Sequence, residues 1–166
     1  MENYFDKQET RDERILKSFN EKTQMFTQIT YHKKGSEIDV EAIDKKGRKC
    51  HIELKERTDK YKDFATFKTK FDNIYLETGK LNALRKIMQS GYPLNEQELF
   101  INIFDDGDTI VIHNLNEPQE MKWMPNQRIY NRGLNKMEYE HRLGVLIKNA
   151  IIYQYDRYMD NYKRIQ

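Results

Sequence analysis

The sequence predicts an α/β fold in which helices flank a central mixed β-sheet, and three observations carry that prediction. Apolar residues recur at helical spacing near the N-terminus and again from Lys80 to Gln89. Around these lie short stretches rich in β-branched and aromatic residues, several with alternating polar and apolar side chains. Turn-forming clusters separate them. The expected order is α-β-β-β-α-β-β over a core of about residues 8–115, followed by a C-terminal helical extension over about 134–164. All 166 residues should form a single domain, because two cores would each be too small.

The first helix spans Gln8 to Phe26, with Ile15, Leu16, Phe19, Met25 and Phe26 on its apolar side and Glu9, Asp12 and Glu13 near its start, where the helix dipole favours anions. Thr27–His32 follows as a strand, ending at the breaker Gly35-Ser36. In Glu37–Ile43, Ile38, Val40 and Ala42 share one face while Asp39 and Glu41 share the other. The next strand repeats this, with Cys50, Ile52 and Leu54 opposed to His51, Glu53 and Lys55. Asp44-Lys45-Lys46-Gly47 has the residue choices of a type I turn, so these two strands should form a hairpin that brings Asp39, Glu53 and Lys55 close together.

Residues 58–72 admit either a short helix or a loop. Ile74–Leu76 reads as a short strand, and Lys80–Gln89 as the second helix, stopped at Ser90-Gly91. Glu98–Phe104 and Thr109–Leu115 form a second hairpin around Asp105-Asp106-Gly107-Asp108. Residues 116–133 contain Pro118, Trp123, Pro125 and Gly133 and read as an irregular excursion. Leu143, Leu146, Ile147, Ala150 and Ile151 define the stripe of the long last helix, continued by Tyr155, Tyr158, Met159 and Tyr162. That aromatic helix is a candidate surface for a homodimer.

Composition excludes several classes. Charged residues make up 34%, yet eight Phe, eleven Tyr and one Trp supply the bulk for a core, which argues against disorder. No apolar run is long enough to span a bilayer, and Met1–Lys7 has no apolar signal region, so a cytoplasmic protein without membrane partners is expected. A single cysteine forms no internal disulfide, and four scattered histidines give no zinc spacing. Cys50 belongs to the apolar strand face and is expected in the core. No phosphate-cradling glycine loop appears. Asp105, Asp106 and Asp108 lack the twelve-residue pattern of a calcium loop and belong to a tight turn.

An acidic residue, a spacer and a lysine occur at Asp44-Lys45-Lys46, Glu53-Leu54-Lys55 and Glu120-Met121-Lys122, so context must decide. Only Glu53-Leu54-Lys55 lies on a strand whose neighbour offers a second carboxylate, Asp39, on the matching side. Two adjacent carboxylates repel unless a cation lies between them, and hard oxygen donors suit Mg²⁺ or Mn²⁺. Alternating charges on a hairpin also occur on an ordinary solvated sheet face with cross-strand ion pairs.

Through Gly35-Ser36-Glu37-Ile38-Asp39 and Cys50-His51-Ile52-Glu53-Leu54-Lys55-Glu56-Arg57, the sequence resembles the PD-(D/E)xK superfamily of restriction-endonuclease-like nucleases, most closely its Holliday-junction-resolvase branch. The resemblance implies a restriction-endonuclease-like core and a Mg²⁺- or Mn²⁺-dependent DNA endonuclease acting on branched or single-stranded DNA, with RNA as an alternative substrate. It further implies that Asp39, Glu53 and the backbone carbonyl of Leu54 bind the metal, joined by Glu13 of the first helix. Lys55 would position the attacking water and Lys80 would approach the scissile phosphate. Ser36 matches a polar residue found near the phosphate, and Ile38 stands where many members have proline.

Charge distribution points to the same partner. Residues 45–70 carry ten Lys and Arg against four Asp and Glu, a local +6 in a chain of only +2. Lys45, Lys46, Arg48, Lys49, Arg57, Lys60 and Lys62, with Ser36, are the candidate contacts to a phosphate backbone. The interleaved Tyr61, Phe64, Phe67 and Phe71 are either packing residues or stacking surfaces for unpaired bases. The rival reading is a catalytically inactive nuclease-fold protein that binds DNA or a protein partner, such as an accessory factor of a phage or mobile element. A third is a purely structural oligomer.

Overall fold

Helix α1 (Arg11–Thr23) begins at a capping box, in which Thr10 and Glu13 satisfy each other's backbone amides, and ends at Gln24 in the left-handed conformation. The computed structural model describes residues 10–32, 36, 38–89, 96–116, 121–131 and 135–166. Gly35, Glu37, the helix stop at Ser90-Gly91, Pro118, Glu120 and Gly133 lie outside the described residues. After α1 come β1 (Phe26–Tyr31), β2 (Val40–Asp44), β3 (Lys49–Glu56), a 3-10 turn at Asp59–Tyr61, α2 (Phe64–Lys70), β4 (Asn73–Glu77), α3 (Thr78–Gln89), β5 (Glu96–Phe104) and β6 (Thr109–Asn114). The chain closes with β7 (Met121–Asn131), β8 (Lys136–Leu146), β9 (Ile151–Asp156) and β10 (Asn161–Arg164).

The fold is α/β. Seven strands form a mixed sheet in the order β1-β2-β3-β5-β6-β9-β10, and β4-β8-β7 form a second, antiparallel sheet. Within the large sheet only β3 and β5 run parallel, with Glu53 beside Phe100 and Lys55 beside Asn102. The connection between them carries α2, β4 and α3, as a parallel crossover requires. No described helix is long and apolar enough to cross a membrane.

The large sheet curls around α1. Phe19 meets Tyr153 and Tyr162 edge to face at 5.3 and 4.8 Å, so strands near one sheet edge reach the same helix as Phe26 and Val40 near the other. Cys50, Ile52 and Leu54 of β3 and Leu99, Ile101 and Ile103 of β5 complete this core. The opposite face packs Phe100, Phe104 and Val111 against α2, β4 and β8 through Phe64, Phe67, Ile74, Leu76 and Val145. The β2–β3 hairpin turns as expected: the Gly47 N–H donates to the Asp44 carbonyl at 3.0 Å, with Gly47 at φ +76°, a conformation that favours glycine.

Up to β6 the expected elements are present, with boundaries shifted by a few residues, and residues 58–72 resolve into the 3-10 turn and α2. Beyond β6 two expectations are corrected. The region read as an irregular excursion contains β7, which pairs with β8 with a register shift between Met124 and Gln127. Pro125 falls in that irregularity, where a residue without an N–H costs no ladder bond. The C-terminal helix expected over 134–164 is absent: the segment forms β8, a 3-10 turn at Ile147–Asn149, β9 and β10. Its helix-like stripe straddles that turn. Ile152 faces one core and Ile151 and Tyr153 the other, because both faces of the sheet are covered, so the alternation that marks a half-exposed strand is erased. The aromatic helical surface suggested for a homodimer is therefore not formed.

Candidate functional site

Asp39 sits immediately before β2, where its N–H donates to the Ile52 carbonyl at 3.3 Å. Its Oδ2 accepts a hydrogen bond from the Leu54 N–H at 2.9 Å. In an extended strand the N–H and C=O of one residue point to the same side, so the Leu54 carbonyl also faces the Asp39 side of β3. Glu53 lies one residue earlier on β3, with its carboxyl on the opposite sheet face from Leu54. Lys80, in the first turn of α3, reaches between the two acids: its Nζ is 3.5 Å from Asp39 Oδ1 and 3.1 Å from Glu53 Oε2. Two carboxylates from neighbouring extended segments thus converge on one ammonium group.

Glu53 is 8% exposed, and Oε2 has no aligned hydrogen-bond donor despite the ion pair with Lys80. Burial and the nearby charge of Asp39 push its carboxyl up to about 7, against the opposing pull of Lys80. For Lys80, burial works against the charged form, but Glu53 and Asp39 outweigh it and the net shift is upward. The pair therefore lacks full compensation from the lysine alone. Hard oxygen donors around an under-compensated buried carboxyl suit Mg²⁺, which is commonly held by one or two carboxylates and completes its shell with water and phosphate.

Lys55 follows on the same face of β3 and lines a narrow cleft with Glu53, Arg57, Tyr75 and Phe100. Glu13 is placed elsewhere in the local chemistry: its Oε2 accepts the Thr10 N–H at 3.1 Å as part of the α1 capping box. Among the described residues no group of three or more His, Cys, Asp and Glu side chains is placed to hold a metal ion, so the structure does not gather Glu13 with Asp39 and Glu53. Ser36 lies in the segment leading to Asp39 and is half-buried.

The basic stretch separates into two groups. Lys45, Lys46, Arg48 and Lys49 occupy the hairpin end of β3, while Arg57, Lys60 and Lys62 follow its other end, about 23 Å away at ~3.3 Å per residue. At the hairpin end Arg48 pairs with Asp44 at 2.7 Å and Lys49 with Glu41 at 2.9 Å, whereas Lys45 and Lys46 are exposed. At the far end Lys60 lies over the Tyr61 ring at 4.8 Å and Lys62 is 3.9 Å from Asp106. Of the interleaved aromatics, Phe64 and Phe67 are buried in the core, Phe71 packs partly against it, and Tyr61 is 39% exposed.

Sequence reasoning missed how deeply Arg57 is set. It is 7% exposed, its Nε and Nη2 donate to Asn102 Oδ1 at 2.9 and 2.5 Å, and its guanidinium lies 4.6 Å over the Tyr75 ring. The sequence signal was available in part, since Arg57 continues the alternation of Glu53 and Lys55, but Asn102 and Tyr75 come from β5 and β4 and only the fold brings them there. A second missed cluster joins buried His51 to Glu96 at 3.0 Å and to Glu41 at 3.5 Å. Cys50 is buried, and desolvation pushes its thiol up to about 12, which agrees with a core role. No protein-family model, curated protein or solved structure matches the chain.

Proposed function

We propose that this protein is a Mg²⁺- or Mn²⁺-dependent phosphodiesterase acting on DNA, with a site of the PD-(D/E)xK type. The observation that carries this reading is the convergence of Asp39 and Glu53 on a shared cation position beside Lys55. The mixed sheet with α-β-β-β-α-β-α-β-β order up to β6 supports it too. Asp39, Glu53 and the Leu54 carbonyl would hold the ion. When bound, it would polarise a phosphoryl oxygen and lower the pKa of a bound water. Burial and Asp39 raise the Glu53 carboxyl to about 7, and a cation bound beside it would favour its charged form. Lys55 positions the attacking water and offsets phosphate charge, and Lys80 partly compensates the acidic pair in the metal-free protein, so its pairing competes with metal entry.

One observation favours a second reading. Lys80 already occupies the place between the carboxylates, which is what a nuclease-fold protein that binds DNA without cutting it would retain. Incubating plasmid, branched and single-stranded DNA with Mg²⁺ or Mn²⁺, against a chelator control, separates the two. Metal-dependent cleavage that Asp39→Ala, Glu53→Ala and Lys55→Ala each reduce at least a hundredfold, with folding retained by circular dichroism, is the expected result. Normal turnover in all three variants excludes this site, and absence of cleavage by the intact protein leaves the binding-only reading.

A further inference from the structure

Next to Lys55 the surface opens into a cavity of about 710 Å³, within the ~300–1,000 Å³ of ordinary ligand sites. Its wall combines cations, Lys55, Arg57 and Lys60, with aromatic rings, Tyr61, Phe71 and Tyr75. The single acidic side chain among the described residues of this wall, Glu56, is turned to Arg11, with 3.1 Å between Oε1 and Nε. Arg57 is the unusual member. A guanidinium this deeply buried ordinarily meets a carboxylate, but its hydrogen bonds go to neutral acceptors, Asn102 Oδ1 and the Tyr75 carbonyl at 3.3 Å. Asn102 and the Tyr75 ring hold the group rigid, and among the described residues no carboxylate reaches it within hydrogen-bonding range, Glu77 acting on it only through space.

Phe71 packs against the core and Tyr75 lies under two guanidinium groups, so Tyr61 is the ring open to a stacking partner, with the exposed Lys60 ammonium over it at 4.8 Å. Tyr61 meets Phe71 edge to face at 5.7 Å and keeps 39% of its surface exposed. Tyr75 lies under both Arg57 and Arg142, whose guanidinium groups are 4.6 and 4.0 Å from its centroid. A cavity that offers charge to a phosphate and a ring to a flat apolar group matches an unpaired nucleotide, whose base is free to leave its stack. A continuous duplex hides its bases and would present only phosphates.

We infer that this cavity binds an unpaired nucleotide of a single-stranded nucleic acid, with the phosphate held by Arg57, Lys55 and Lys60 and the base stacked on Tyr61. The inference rests on the phosphodiesterase reading for its place beside the reacting centre, since Lys55 lines both, and it deepens that reading by assigning the substrate class: strands with unpaired nucleotides rather than continuous duplex.

The test is a binding titration in chelator, so that cleavage plays no part. Fluorescence anisotropy would compare a short single-stranded DNA, an abasic chain of equal length and charge, and a blunt duplex of equal length. The natural strand should bind at least tenfold more tightly than the abasic chain and than the duplex, about the size of one base–aromatic stack. Tyr61→Ala should weaken binding of the natural strand about tenfold and leave the abasic chain unaffected, while Tyr61→Phe, which keeps the ring, should bind as the parent does. Tyr61 is exposed enough for these variants to fold, and a thermal melt checks that they do. Equal affinity for natural and abasic strands, or no loss with Tyr61→Ala, overturns the inference. Because the titration omits metal, tight base-dependent binding without later Mg²⁺-dependent cleavage removes the nuclease reading and keeps the nucleotide site, whereas cleavage without base-dependent binding does the reverse.

Discussion

The two faces of the seven-stranded sheet are both covered, but they are built from different residues. Toward α1, β3 turns Cys50, Ile52 and Leu54, β5 turns Leu99, Ile101 and Ile103, and β6 turns Ile110 and Ile112, every one of them apolar and buried. Toward α2, β4 and α3, the same three strands turn His51, Glu53 and Lys55, then Asn102, then His113, in among Phe100, Phe104 and Val111. Buried polar groups are costly unless partnered, and here the partners are specific: Lys80 for Glu53, Glu96 for His51, Arg57 for Asn102, and the Leu146 carbonyl for a His113 that burial keeps neutral near physiological pH. One face is therefore built of apolar side chains alone, and the other gives up part of that burial to partnered polar groups.

The largest expected effect sharpens the first half of this contrast. Phe19 is fully buried at the centre of the α1 face, against Tyr153 and Tyr162 from one edge of the curled sheet. Phe19→Ala should cost about 3–5 kcal/mol in denaturant unfolding. Lys55→Ala, on the other face and half-buried, should cost less than about 1 kcal/mol while removing cleavage. A small loss for Phe19→Ala would show that the curl around α1 is not what holds the sheet.

The second effect concerns the polar face and has a pH signature. The Glu53 carboxyl lies at about 7 in the folded chain, above the 4.5 of an unperturbed glutamate, because of burial and Asp39. The folded state then holds this proton more tightly than the unfolded state does. The stability attached to it is complete below about pH 4.5 and declines as pH rises through 7. Glutamine keeps the neutral form at every pH. The stability of Glu53→Gln relative to the parent should therefore grow between pH 5 and pH 8, by on the order of 2–3 kcal/mol after allowing for the partner that Lys80 loses. A pH-independent difference in urea unfolding would show that Glu53 is ionised and compensated throughout.

The same contrast explains what the sequence made legible. Asp39 and Glu53 could be placed together from strand alternation alone, because residues flanking a short hairpin have a fixed register, and Asp44 and Gly47 mark the turn. The partners of that site were not legible to the same degree. Lys80 reaches it from α3, and Arg57 is held by β4 and β5, contacts set by tertiary packing rather than by local pattern. The failure past residue 116 has the same root. A strand such as Ile151-Ile152-Tyr153, apolar on both sides because two cores enclose it, has no period of two to detect, and the residues of an adjacent strand and turn then mimic a helical stripe. The basic stretch was legible in number but not in space, since β3 separates its halves.

The smallest effects fall on the rim of α1 and decide what Glu13 does. Its carboxylate accepts the Thr10 N–H while the Glu13 N–H donates to the Thr10 hydroxyl at 3.4 Å, so the pair closes the helix start. Thr10→Ala should cost about 1 kcal/mol of stability. Glu13→Gln keeps an acceptor of the same length and should change stability by less than about 0.5 kcal/mol, because glutamine serves a capping box nearly as well. A metal ligand would not tolerate that exchange, since glutamine removes the charge that holds the ion. If Glu13 only caps the helix, the metal concentration needed for half-maximal cleavage is the same for Glu13→Gln and the parent. A tenfold rise in that concentration at unchanged stability would mean instead that the start of α1 contributes a ligand to the site formed by Asp39 and Glu53.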